Sequence, residues 1–229
     1  MRYVTSRLMV RKCSFIKGIV ALCLVVASCG GNRTGGRIDW SEEVFQEYEY
    51  PLDGEVRKVS SKSGKLTCPM VQLIPYEGDV VRYHRPVKAN PFFIERLQRF
   101  EEVVLAVSLE IYGRAPEAIR HMGVYNCRRV RGKAKLSEHA FGNAIDIGGF
   151  DFGPGKGGPL SHGFRISVLK HWDARTGEER LHAKFLYRLA EELAKRPDIF
   201  RGILGPGAAG HDDHYHLDVG RYRYMTIGR

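Results

Sequence analysis

The sequence predicts a single α+β domain, a small antiparallel or mixed sheet flanked by helices, and three observations point to it. Two long stretches repeat apolar residues at helical spacing. Four short runs, apolar or alternating, lie between and after them at lengths typical of strands. No internal repeat or low-complexity block interrupts this order, and 229 residues with 43% hydrophobic content can bury one sizeable core.

The first 28 residues stand apart from that core. Arg2, Arg7, Arg11, Lys12 and Lys17 carry positive charge with no acid among them, and "GIVALCLVVAS" follows. The apolar stretch is short for a bilayer span, so residues 1–28 read as a secretion leader. It closes on "VASC", which resembles the lipobox of bacterial lipoproteins and marks Cys29 for lipidation. Cys13 and Cys23 leave with such a leader and Cys29 takes the lipid. Cys68 and Cys127 remain, an even pair expected to bridge in an oxidising compartment. Five of the ten excess positive charges are in the leader, leaving +5 for the mature chain. That balance suits an acidic polymer such as cell wall, and nucleic acid is not an expected partner.

Residues 29–39, with "GGNRTGGR", read as a flexible tether, and the domain is expected over 40–229. From Trp40 to about Asn90, short apolar stretches broken by "LDGE", "SSKSGK" and "YEGD" suggest turns and short strands. Phe93, Leu97, Phe100, Val104, Val107 and Ile111 then recur at spacings of three and four, predicting a helix capped by Gly113. A second helix is predicted over about 178–195 from Leu181, Phe185, Leu189 and Leu193, with Pro197 beyond its end. The strand candidates are "AIRHMGVYNC", "NAIDIGGF", "FRISVL" and "HYHLDV".

Chemistry concentrates in "LSEHAFGNAIDIGG" and "GHDDHYHLD". A catalytic zinc site takes three protein ligands from His and carboxylate and keeps one position open for water. His139 and Asp146 can meet if the chain turns at Gly142 and enters a strand. His214 and His216, two apart, share a strand face, so one can bind metal while the other stands free beside it. Ser137 is read as bracing the turn, and His211 as orienting its neighbours. His84, His121, His162, His171 and His182 are assigned none of the chemistry. The Gly-rich "FGPGKGGP" lacks the ending of a phosphate loop and is expected to be a mobile loop beside the site.

"SEHAFGNAID" resembles the S-x-H-x-x-G-x-A-x-D pattern of zinc D-alanyl-D-alanine carboxypeptidases, and H-x-H resembles related murein endopeptidases. "YNCR", "LSEHAFGNAID", "ISVLKHW", "LGPG" and "HDDHYHLD", from about Gly123 to Gly220, most resemble the extensin-like C-terminal domain proteins. The resemblance implies a zinc peptidase-like fold with His139, Asp146 and His216 as Zn2+ ligands. It puts Asp213 where the carboxypeptidases have a catalytic Glu, and His214 where the endopeptidases have a histidine, leaving the base open between them. Arg128 aligns with a substrate-positioning arginine. The implied activity is zinc-dependent cleavage of peptidoglycan stem peptides or cross-links. The implied location is the periplasm, with the lipid holding the protein to a membrane, expected to be the outer one. The alternative is a non-catalytic wall-binding or regulatory lipoprotein on the same fold.

Overall fold

A computed structural model describes residues 66–228. The leader, Cys29, the tether and the turns expected before residue 66 lie outside the described residues. Among the described residues no helix is long and apolar enough to cross a membrane.

The architecture is α+β. Strands β1 (Ile74–Tyr76) and β2 (Val87–Ala89) form an antiparallel pair ahead of helix α1 (Pro91–Tyr112). Strand β3 (Ala118–Gly123), a short 3-10 helix (Glu138–Phe141) and strand β4 (Ala144–Phe152) follow. Then come β5 (Phe164–Ser167), α2 (Val168–His171) and α3 (Glu179–Ala194). Strands β6 (Gly202–Leu204), β7 (Tyr215–Asp218) and β8 (Tyr224–Thr226) complete the order. The main sheet runs β3-β4-β7-β6-β8, with β5 also on β4. Its pairings are antiparallel except β6 with β8, so the sheet is mixed.

Both predicted long helices form. Asn90 accepts the Phe92 N–H at the start of α1, Pro91 occupies its first position, and Gly113 ends it in the left-handed conformation. The apolar stripe of α1 is buried throughout, and its one acid inside, Glu101, accepts from the Tyr76 hydroxyl and the Asp79 and Val80 N–H groups. Helix α3 stops at Ala194, three residues before Pro197. "FRISVL" was expected as one strand; it splits after Ser167, where β5 ends and α2 begins. The physical reason lies in β4: its C-terminal half pairs with β5 only as far as Gly149 opposite Ser167, and its N-terminal half pairs with β7 instead.

The helices cover one face of the sheet. Phe185 of α3 lies 5.0 Å from Phe150 of β4, Tyr112 of α1 lies 4.8 Å from Phe152, and the Tyr215 hydroxyl of β7 donates to the Leu186 carbonyl of α3. Alternation then sorts the side chains. Ile145 and Ile147 of β4, with Tyr215 and Leu217 of β7, enter this core. Asp146, His216 and Asp218 are left for the opposite face, where Leu136, Ala140 and Phe141 form a small second cluster against Leu66 and Cys68.

Cys68 and Cys127 are disulfide-bonded across 59 residues. Closing a loop of that length stabilises the fold by about 4 kcal/mol in the chain-entropy account. It also ties the described N-terminal stretch to the loop after β3.

Candidate metal centre

The centre grows from two short local structures. Ser137 caps the 3-10 helix by accepting the His139 N–H, and Gly142 closes it at φ 67°. Glycine suits that turn because the left-handed φ strains other side chains, and a Cβ there would also sit 3.2 Å from the Asn90 backbone nitrogen. The chain thus turns at Gly142 and enters β4 carrying Asp146. On the neighbouring strand His216 is the paired partner of Asp146, so both side chains leave the sheet on one face.

Three potential ligand atoms converge there. His139 Nε2 lies 3.2 Å from Asp146 Oδ1 and 3.1 Å from His216 Nδ1, and His216 Nδ1 lies 3.0 Å from Asp146 Oδ1. A tetrahedral zinc with bonds of about 2.0–2.1 Å separates its ligand atoms by roughly 3.3 Å, close to this spacing. The outer nitrogens are already engaged. His139 Nδ1 donates to the Val124 carbonyl at 2.6 Å, and His216 Nε2 donates to the Asp218 carboxylate at 3.0 Å. Each inner nitrogen is thereby left with its lone pair facing the others and an ionised carboxylate. Two lone pairs and an anion in contact call for a cation, and the donor set suits zinc. Both histidines are buried, and Asp146 keeps 19% of its side chain exposed, so the group is reachable from solvent on one side.

Asp218 and the Val124 carbonyl were not singled out from the sequence. Asp218 is fully buried and also accepts from the Gly220 N–H and the Tyr224 hydroxyl. Gly202, its partner on β6, makes the room: a Cβ there would lie 2.3 Å from a carboxylate oxygen. The available signal was H-x-D in "HYHLDV", two residues apart on one strand face. Val124 follows β3 after a register shift between His121 and Gly123, which turns the chain end toward His139. The disulfide at Cys127 anchors this same loop.

Charge follows geometry. Without metal, protons take the place of the cation on the inner nitrogens: burial alone would raise Asp146, but hydrogen bonds from His139 and His216 outweigh it and hold the carboxyl below its ordinary range. Burial alone would lower His216, but its bonds to Asp146 and Asp218 push it up to about 9 in the metal-free protein. A folded value above the ordinary 6.5 stabilises the metal-free fold fully below pH 6.5, and the contribution is lost as pH rises through 9. Asp146 acts in the opposite sense: its contribution is present above the ordinary 3.8 and lost on acidification. The His216 contribution is at most about 3 kcal/mol, or roughly 6–12 °C in Tm for a domain of this size. Chelator-treated protein is therefore expected to lose Tm between pH 6.5 and 9, and zinc-loaded protein to hold steady there. Thermal melts across that range check it; a flat metal-free profile counts against the arrangement.

The remaining site residues fall into place around this group. His214, just before β7, brings Nε2 to 3.6 Å from Asp146 Oδ1, on the same face as His216. Asp213 does not reach the cluster. Its carboxylate accepts from His214 Nδ1 at 2.6 Å and is half exposed, so the two expected rivals form one Asp–His pair. The physical reason is the turn over Asp212 and Asp213 ahead of β7, from which the Asp213 carboxylate folds back onto the His214 ring. His211, expected to orient its neighbours, has its ring 5.0 Å from His214 and 5.7 Å from His216, just after the turn at Gly210. Burial lowers its affinity for a proton, against the opposing bond to the Ala209 carbonyl. Among the described residues the Arg128 guanidinium hydrogen-bonds to the Arg129 carbonyl, at 3.5 Å, and to none of His139, Asp146 and His216.

The Gly-rich segment was expected beside the site and is not there. It follows Phe152, six residues along β4 from Asp146, or roughly 20 Å at about 3.3 Å per residue. Arg114 pins it by donating to the Leu160 and His162 carbonyls, and Gly158 packs on the end of α1.

Two imidazoles and a carboxylate on paired strands, with an Asp–His pair alongside, define an α+β domain built around one candidate metal centre. Residues 52–229 match the extensin-like protein C-terminus family, and the chain belongs to it. No curated protein and no solved structure matches the chain.

Proposed function

We propose that the chain is a zinc-dependent peptidase of bacterial peptidoglycan, exported to the periplasm and held to a membrane by a lipid on Cys29. One observation carries the catalytic half of the reading. His139 and His216 are each tied at the outer nitrogen, leaving both inner lone pairs on Asp146, while His214 Nε2 stands 3.6 Å from the same oxygen. The substrate half rests on the likeness of "SEHAFGNAID" and H-x-H to zinc D-alanyl-D-alanine carboxypeptidases and murein endopeptidases.

His139, Asp146 and His216 would hold the zinc, which supplies Lewis-acid polarisation of the scissile carbonyl and of an attacking water. His214 accepts the water proton at Nε2 and returns it to the leaving amine. Asp213 holds the Nδ1–H of His214, so that the acceptor nitrogen faces the site. The Asp213 carboxylate thus acts through the ring and need not reach the water itself. Arg128, which has no carboxylate partner among the described residues, would take a peptide carboxylate.

Mass spectrometry of muropeptides incubated with the protein tests this. Trimmed stem peptides or opened cross-links are expected, and chelator should abolish them. Unchanged muropeptides, with zinc bound, would replace the reading with a non-catalytic wall-binding or regulatory lipoprotein.

A further inference from the structure

Between the loop that holds His139 and the 3-10 helix that carries it, the chain makes a short hairpin. Ser137 N–H donates to the Arg128 carbonyl at its base, Val130 N–H to the Lys135 carbonyl above, and Lys133 N–H to the Val130 carbonyl at the tip. This arm reads "RRVRGKAK": Arg128, Arg129, Arg131, Lys133 and Lys135, with no acid. Residues 131–135 are all exposed.

Several arginines elsewhere on this surface have carboxylate partners. Arg188 pairs with Glu110 and Glu192, Arg120 and Arg165 share Asp151, and Arg99 and Arg196 share Asp198. Among the described residues, the hydrogen bonds of the arm's guanidinium groups go to carbonyls, at Arg129 and Ala134, and its cations take no part in these ion pairs. Five like charges on eight residues repel one another, so the arm is costlier alone than beside an anion.

The arm also lies at the mouth of the metal centre. A Cβ on Gly210 would sit 3.3 Å from an Arg131 nitrogen, and Gly210 immediately precedes His211, whose ring adjoins His214 and His216. A chain lying across Asp146 and past His211 therefore runs toward the arm.

We infer that the 128–135 arm is a docking surface for the carboxylates of an anionic peptide polymer, gripping flanking acidic groups while the bond to be cut lies over Asp146. This deepens the proposed function and rests on it for the identity of the polymer. Held this way, the arm raises the local concentration of acidic strands and acts on binding rather than on the chemical step.

The test uses the full chain in detergent, with chelator present to stop cleavage, co-sedimented with purified peptidoglycan sacculi. Three matched samples are compared: untreated sacculi, sacculi with their carboxylates amidated by carbodiimide, and untreated sacculi with the variant Arg131→Glu, Lys133→Glu, Lys135→Glu. Amidation and charge reversal are each expected to weaken binding about tenfold or more, and added salt to weaken the wild type toward the same level. Circular dichroism and zinc content confirm that the variant is folded. Equal binding by variant and wild type overturns the inference, as does indifference to amidation. Arm-dependent binding to vesicles of anionic phospholipid, with none to sacculi, overturns it too. The two readings fail separately: arm-dependent binding in chelator, with no muropeptide released by the zinc-loaded protein, sinks the peptidase, and cleavage by the zinc-loaded protein with an unaffected variant sinks the docking arm.

Discussion

Alanine at His139 or His216 is expected to strip zinc from the protein and abolish activity together. A closed zinc site of four protein ligands is worth about 10–16 kcal/mol, so one ligand carries roughly 3 kcal/mol, and its loss lowers affinity by two orders of magnitude or more. Competition titration with a chromophoric chelator measures this directly. The fold should survive, since both rings lie on the face of the sheet away from the main core. Full zinc retention in both variants would remove the metal centre from consideration. Asp218→Asn should act more mildly, costing about tenfold to a hundredfold in affinity, because it loosens His216 without removing a ligand.

A second large effect is expected at His214. Its replacement by alanine should leave zinc bound and lower turnover by about a hundredfold to ten-thousandfold, the range of acid–base groups. Asp213→Ala should cost about tenfold, as expected of a partner acting through another residue. Asp213→Asn should recover much of that, since an amide oxygen still accepts the Nδ1–H of His214. Near-normal turnover in His214→Ala would exclude the histidine as base. Failure of asparagine to restore more than alanine would show that Asp213 acts by its charge and not by holding the ring.

What could be read from the chain and what could not divide along physical lines. Helices α1 and α3 were legible because a buried stripe leaves a period, and their caps at Gly113 and before Pro197 are chemical signals. The disulfide was legible by counting cysteines. Strands β6 and β8 were not, since three residues each carry too little pattern to register. At the site, His139 and Asp146 stood out by type and by the turn at Gly142. The groups that aim them did not: Val124 contributes only its backbone, and Asp218 gains meaning only from the strand pairing that buries it. The Gly-rich segment was misplaced because nearness in sequence says nothing of how far a nine-residue strand carries the chain. Asp213 and His214 looked like competitors because a one-dimensional string cannot show one side chain turning back on its neighbour.

Strand β4 makes the two ends of its own segment unequal in their tolerance of length. Between His139 and Asp146 the spacing is rigid. Removing one residue at Gly142 or Asn143 would either drag His139 about 3.3 Å along the strand direction or turn Asp146 inward and Ile145 outward. Beyond Phe152 no such bookkeeping applies, for the pairing of Asp146 with His216 is made upstream and does not depend on how the chain returns to β5. Insertions after β4 are thus a route by which this fold can acquire new surface while its buried histidines stay where they are.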